Sequence, residues 1–119
     1  MEAHFIENSG FTRAVGTYLD DDEYSAFQAW LGADPEAGRV VQGTGGFRKA
    51  RWRDPRRGKG KRGGLRVIYY WFKEERRIWL VMIYDKDEAG DLSDDEKKAL
   101  RSAIEAERQL RGSRTRGKR

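Results

Sequence analysis

The chain has 119 residues, 38% of them charged and 37% hydrophobic, with a formal net charge of +5 and a pI near 9.6. This length suits one domain with a small core, and the positive charge favours an anionic partner. Since there is no cysteine, disulfides, thiolate metal sites and cysteine nucleophiles are excluded, which fits a reducing compartment.

The sequence shows no sign of export or membrane insertion. Residues 1–10 carry acids and lack the apolar run of a signal peptide. The longest fully apolar run, residues 78–84, is too short to span a bilayer. We therefore expect a cytoplasmic protein that does not contact the membrane.

The first clear element is a helix that begins near residue 20. Asp20 is a predicted N-cap, with Glu23 as the reciprocal acid of a capping box. Gly32 and Pro35 end the helix, and residues 4–6 are a candidate short strand before it. The apolar positions at helical spacing are Tyr24, Phe27 and Leu31, with Trp30 beside them.

The middle of the chain predicts strands. Residues 47–53 alternate, so that Ala50 and Trp52 share one face while Lys49, Arg51 and Arg53 share the other. Residues 66–72 and 78–84 are aromatic and β-branched runs, joined by a polar connection suited to a hairpin. Their aromatic side chains are expected to pack in the sheet rather than to stack on bases.

A last helix is predicted from Ser93, which opens the capping box Ser-Asp-Asp-Glu. The fold class is therefore α+β: a two-layer domain with a small, mostly antiparallel sheet of three to five strands, N-terminal helices and a C-terminal helix. Residues 1–110 form the domain, and residues 111–119 are expected to be a disordered basic tail. One sheet face is expected to carry helices, leaving the other open for binding.

The chemistry is concentrated in residues 45–70, a cationic strand followed by a basic, glycine-rich loop and another strand. Such a surface is typical of phosphate binding, although a basic run can also be only solvated surface. The loop is not a P-loop, since a strand follows it and the Gly-Lys-Ser/Thr motif is missing. His4 is the only histidine, and the acids at residues 85–91 lack EF-hand spacing, so no metal or cofactor is expected.

Four segments together resemble HigB-type toxins of the RelE/ParE toxin superfamily, over about residues 4–108. They are QGTGGFRKARW at 42–52, GKGKRGGLRVIYY at 58–70, IYDKDE at 83–88 and LSDDEK at 92–97. The resemblance implies a RelE-like fold and a ribosome-dependent mRNA endonuclease, an mRNA interferase that inhibits translation. It also implies a partner, a helix-turn-helix HigA-like antitoxin, besides the ribosome and mRNA.

By the same resemblance, basic residues on the strand and at the start of the next strand hold the scissile phosphate, without metal or cofactor. The implied catalytic residues are Lys49, Arg51, Arg66 and Lys86. The general base stays open between Lys49 and, more weakly, Asp87, which stands where the family frequently has arginine. The residues expected to bind RNA or the ribosome are Arg48, Arg53, Arg56, Arg57, Lys59, Lys61 and Arg62.

Two other functions stay open from the sequence. The same superfamily includes ParE-like gyrase poisons, which lack the catalytic cations and block replication. A non-catalytic nucleic-acid-binding regulatory module would keep the basic row but cut nothing. The combination of Lys49, Arg51 and Arg66 favours the ribonuclease.

Overall fold

The computed structural model describes residues 3–57 and 64–117. Within these ranges no helix combines the length and the apolar character needed to cross a membrane. The elements are β1 His4–Glu7, α1 Ser9–Tyr18, α2 Asp21–Ala33, β2 Arg39–Val40, β3 Arg48–Trp52, β4 Leu65–Phe72, β5 Arg77–Asp85, α3 Lys86–Ala89 and α4 Asp94–Gly117.

The five strands form one sheet in the order β1-β5-β4-β3-β2. Strands β2 to β5 pair antiparallel, whereas β1 pairs parallel with β5 at one edge. The predicted α+β class, with a small and mostly antiparallel sheet carrying helices, is confirmed. β4 and β5 lie in the middle because they supply the longest apolar runs, which need cover on both faces.

Side-chain caps start the two N-terminal helices. The Asp20 carboxylate accepts the backbone N–H of Glu23 at 2.8 Å, as predicted for α2. The Asn8 side chain accepts the N–H of Phe11 at 2.8 Å and starts α1, a helix whose place the sequence analysis did not identify. Gly10 and Gly16 lower its helix propensity, and α1 forms because Phe11 is buried against the sheet.

A β-bulge interrupts the pairing of β4 with β5. Ile68 pairs with Met82 and Tyr69 with Leu80, which leaves Val81 as an extra residue on β5. The extra residue reverses the alternation of side chains along the strand. Trp79 and the later Tyr84 therefore face the same side of the sheet, although an unbroken strand would put them on opposite sides.

Both faces of the sheet carry helices. On one face, α1 and α2 bury Phe11, Phe27 and Leu31 against Val67 and Tyr69. On the other face, Leu100 and Ile104 of α4 pack against side chains of the sheet that include Phe47, Ile68 and Tyr84. The expectation that this second face is open is therefore wrong where α4 packs, because the aromatic residues of β4 and β5 are apolar on both sides.

The predicted capping box at Ser93 is confirmed in full. Ser93 Oγ accepts the N–H of Glu96 at 3.1 Å, and Glu96 Oε1 accepts the N–H of Ser93 at 2.8 Å. The disordered tail expected over residues 111–119 stays a prediction, and residues 118–119 lie outside the described residues. Helix α4 continues to Gly117. Arg111 contributes to this extension. Its guanidinium carbon lies 3.9 Å from the centroid of the Phe72 ring, and its side chain pairs with Glu107 one turn earlier.

The contact between α4 and the sheet leaves no room for a side chain at Gly45. Its φ is +80°, and a Cβ there would lie 2.8 Å from Cγ2 of Ile104. We predict that Gly45→Ala lowers the free energy of unfolding by about 2 to 4 kcal/mol, from left-handed strain plus overpacking. Gly16→Ala, in open space on α1, is the control and should raise it by about 0.5 to 1 kcal/mol. Urea denaturation of both variants checks the pair, and equal midpoints would contradict it.

Candidate functional site

Three side chains form one row across the sheet. Arg51 of β3 pairs with Arg66 of β4, which pairs in turn with Tyr84 of β5. Ala50 and Trp52, the neighbours of Arg51, face the α1–α2 side, so Arg51 itself faces the α4 side. The row thus brings two guanidinium groups and one phenol together on the α4 face.

Arg66 is the most unusual member of this row. Its side chain is buried, with 5% exposure, and its Nη1 donates to the carbonyl oxygen of Leu65 at 3.2 Å. Among the described residues, no carboxylate lies within ion-pair distance of it. Directly opposed like charges destabilise a sheet, and buried charges are normally paired. The pairing of Arg51 with Arg66 therefore creates a position that an anion would stabilise.

A third cation and a carboxylate stand beside the row. Lys49 lies two residues before Arg51 on the same face, and its Nζ is 3.6 Å from Oδ1 of Asp91. The chain reaches Asp91 through Gly90, whose φ of +73° is a conformation that L side chains rarely adopt. This turn brings an exposed carboxylate onto the cationic part of the sheet.

The Tyr84 hydroxyl is buried and has no hydrogen-bond partner within the described part of the chain. Burial raises the pKa of Tyr84, and the negative charges of Asp91 and Glu96 raise it too, against a lowering by Arg66. The phenol is therefore protonated at neutral pH and can donate a hydrogen bond. Its unused donor adds to the anion-binding character of the row.

Lys86 lies at the same end of the sheet. It is exposed, and its backbone N–H donates to the carbonyl oxygen of Gly64 at 2.9 Å, just before β4. Of the four predicted catalytic residues, the structure brings Lys49, Arg51 and Arg66 onto one surface, with Lys86 on the turn that follows β5. Such a set can bind a phosphate and stabilise negative charge that develops on it.

Three of the predicted RNA-binding arginines have protein partners among the described residues, and two of them, Arg48 and Arg53, lie on or next to β3. Arg48 lies on the opposite face of the sheet from Arg51 and Arg66. It donates to the carbonyl oxygen of Gly38 at 2.8 Å and so supports the connection before β2. Arg53 pairs with Glu23 of α2 at 3.5 Å, and its exposed side chain stays accessible. Both connect β3 to neighbouring elements.

Arg56 belongs to a more deeply buried network. Its Nη2 lies 2.8 Å from Oδ2 of Asp54 and 3.2 Å from Oδ2 of Asp85, and both carboxylates are almost fully buried. The guanidinium also lies over the Tyr18 ring, 4.6 Å from its centroid. Hydrogen bonding to Asp54 raises the pKa of Arg56, so the cation persists at any accessible pH. The network links the end of β3 to the end of β5, on either side of β4.

The remaining predicted RNA-binding residues belong to the basic loop. The side chain of Arg57, which ends a 3₁₀ turn at Pro55–Arg57, lies outside the described part of the structure. Lys59, Lys61 and Arg62 also lie outside the described residues. Their role remains a prediction from the sequence.

Sequence reasoning missed two members of the site. Tyr84 was assigned to packing alone, and Asp91 only to a group of acids without metal-binding spacing. Hairpin pairing could have suggested a partner for Arg66, but without the bulge that partner would be Ile83. Gly90 is a signal for a turn before Asp91, although it does not indicate which residue Asp91 meets.

Comparison with protein-family models finds no match for this chain. Among solved structures, a mutant of the E. coli toxin RelE in the free state is similar, with a TM-score of 0.49 and 14% sequence identity. The match covers 75% of this chain and 88% of that chain. A likeness of this size does not transfer a function.

The Arg56 network predicts a difference between two neighbouring arginines. Arg56→Ala should lower the free energy of unfolding by about 3 kcal/mol, because it removes a guanidinium from two buried carboxylates. Arg53→Ala is the matched control, and its exposed pair with Glu23 should contribute less than about 1 kcal/mol. Thermal and urea unfolding measure both. Equal losses would contradict the prediction that the buried Asp54–Arg56–Asp85 contacts stabilise the fold more than the exposed pair of Arg53 with Glu23.

Proposed function

We propose that this protein is the toxin of a type II toxin–antitoxin system, a ribosome-dependent endonuclease that cleaves mRNA in the cytoplasm and so inhibits translation. The observation that supports this most is the pairing of buried Arg66 with exposed Arg51, beside half-buried Lys49. The resemblance of the central segments to HigB-type toxins supports the same proposal. The partner that neutralises the protein is then a helix-turn-helix, HigA-like antitoxin.

The proposed reaction is an attack of a ribose 2′-hydroxyl on the adjacent phosphate. Negative charge grows on the phosphate oxygens as the new bond forms, and donors already held in place stabilise it without reorganising. Arg66 is suited to this role, because its burial and its bond to the Leu65 carbonyl hold the guanidinium in one orientation. Arg51 and Lys49 supply further positive charge, and Lys86 is the fourth proposed member of the site.

The paired arginines also favour the ribonuclease over the two alternatives. A gyrase poison would have no need for a buried arginine opposite a second arginine. A binding module could use the exposed cations alone. Neither alternative accounts for the cost of placing Arg66 inside the protein next to like charge.

Arg66→Ala should slow cleavage about 100- to 1000-fold, because it removes one oriented donor from the developing charge. The test is to induce each protein in bacteria, follow growth and map new mRNA 5′ ends. Arg13→Ala, which removes an exposed arginine from α1, should behave as the parent protein. Growth arrest without new ends within translated codons would exclude the endonuclease and favour the gyrase poison or the binding module.

The basic loop is proposed to dock the protein onto ribosomal RNA. Replacing Lys59, Lys61 and Arg62 together with glutamine should weaken ribosome binding and make it less dependent on salt, since fewer counterions are released. Co-sedimentation with ribosomes at several salt concentrations measures this. As a control, a second triple variant replaces Lys98, Arg101 and Arg13 with glutamine, which removes three positive charges outside the loop. Equal losses from the two triple variants would mean that only net charge matters, and no loss from the loop variant would exclude docking through this loop.

A further inference from the structure

Asp91 is the carboxylate that the fold brings to the cationic row. Its Oδ1 lies 3.6 Å from Nζ of Lys49, while 67% of its side chain stays exposed to a substrate. A carboxylate on a phosphate-binding surface would repel RNA, so its presence there calls for an explanation. An exposed ion pair alone contributes little to stability.

The local backbone supports a functional position. Gly90 turns the chain in a left-handed conformation, and Leu92 packs partly buried against the core on the α4 face. Asp91 is held between these two residues, directly after α3 and before the capping box at Ser93. The backbone position of Asp91 therefore follows from the fold.

The proposed reaction needs a group that accepts the proton of the 2′-hydroxyl. We infer that Asp91 is this general base, with Lys49 orienting its carboxylate. The inference rests on the proposed ribonuclease function. An ionised carboxylate can accept a proton, whereas a charged lysine cannot, so Lys49 is better suited to stabilising charge.

The step balances as follows. Asp91 takes the proton of the 2′-hydroxyl, and the 2′-oxygen forms a bond to phosphorus. The bond from phosphorus to the 5′-oxygen of the next nucleotide breaks, and that oxygen takes a proton from water. The products are a 2′,3′-cyclic phosphate and a 5′-hydroxyl end, and Asp91 afterwards returns its proton to solvent.

Several charged groups surround this position. Lys49 of β3 contacts Asp91, and the Tyr84 hydroxyl of β5 lies within reach of its charge. Arg66 of β4 and Glu96 of α4 act on the same hydroxyl. Lys86, Asp87 and Glu88 lie on the turn of α3 that precedes it.

The test uses the full chain in a cell-free translation extract with a reporter mRNA. Cleavage sites are mapped first, and the single-turnover rate is then measured at the strongest site. Asp91→Asn should slow this step about 100- to 10,000-fold while ribosome co-sedimentation stays unchanged, because the variant removes the base but not the binding cations. Asp95→Asn, at an exposed acid in the first turn of α4, changes the charge equally and should leave the rate unchanged.

Asp91→His provides a second and independent measurement. An imidazole can accept the proton when neutral, so part of the rate should return, with a new rise in rate through about pH 6.5. Circular dichroism spectra of all variants should match the parent, since Asp91 is exposed.

Different outcomes separate the inference from the function on which it depends. An unchanged or faster rate in Asp91→Asn, with cutting by the parent protein, would overturn the base and leave the ribonuclease standing. A slower rate caused only by lost ribosome binding would overturn it too. No cutting by the parent protein, or equal cutting of an mRNA with 2′-deoxy residues at the mapped site, would instead overturn the proposed function.

Discussion

The pairing of β4 with β5, including its bulge at Val81, is the constraint on which the rest of this structure depends. These two strands lie between the two helical layers, so most of their side chains are apolar on both faces. The bulge changes which face each residue of β5 presents. It sends Ile83 and Leu80 toward α1 and α2, and it turns Tyr84 toward α4. Without the bulge, Ile83 would pair with Arg66, and Tyr84 would face the α1–α2 side of the sheet.

The same pairing decides on which face of the sheet the buried arginine lies. Arg66 lies on a central strand, between neighbours that face the α1–α2 core, so its side chain extends toward the α4 face. Helix α4 covers the aromatic half of that face and leaves the end where Lys49 and Arg51 lie. The fold thus divides one sheet face into an apolar half that stabilises the protein and a cationic half in which Arg51 is exposed and Arg66 is buried.

The arginines of this chain serve two purposes, and position in the fold separates them. Arg48, Arg53 and Arg56 point to carbonyl or carboxylate oxygens of the protein and connect the ends of the central strands to neighbouring elements. Arg51 and Arg66 face each other instead. All five residues are arginines from the same part of the sequence, so neither residue type nor position along the chain separates the two groups. The face of the sheet on which each side chain lies, and the acids near it, separate them.

The sequence by itself determined the elements whose signals are local. The capping residues Asp20 and Ser93, the alternation around Ala50 and Trp52, and the two long apolar runs predict α2, α4, β3, β4 and β5, because caps and periodicity act over a few residues. The cations Lys49, Arg51 and Arg66 could be proposed as a set in the same way, aided by the family resemblance. Only the tertiary structure decided that α4 covers half of the second face, that Arg56 is bound to Asp54 and Asp85, and that Tyr84 and Asp91 join the cationic row. These features depend on strand register, on one extra residue in β5 and on a left-handed turn at Gly90, and contacts between distant residues decide them rather than local propensity.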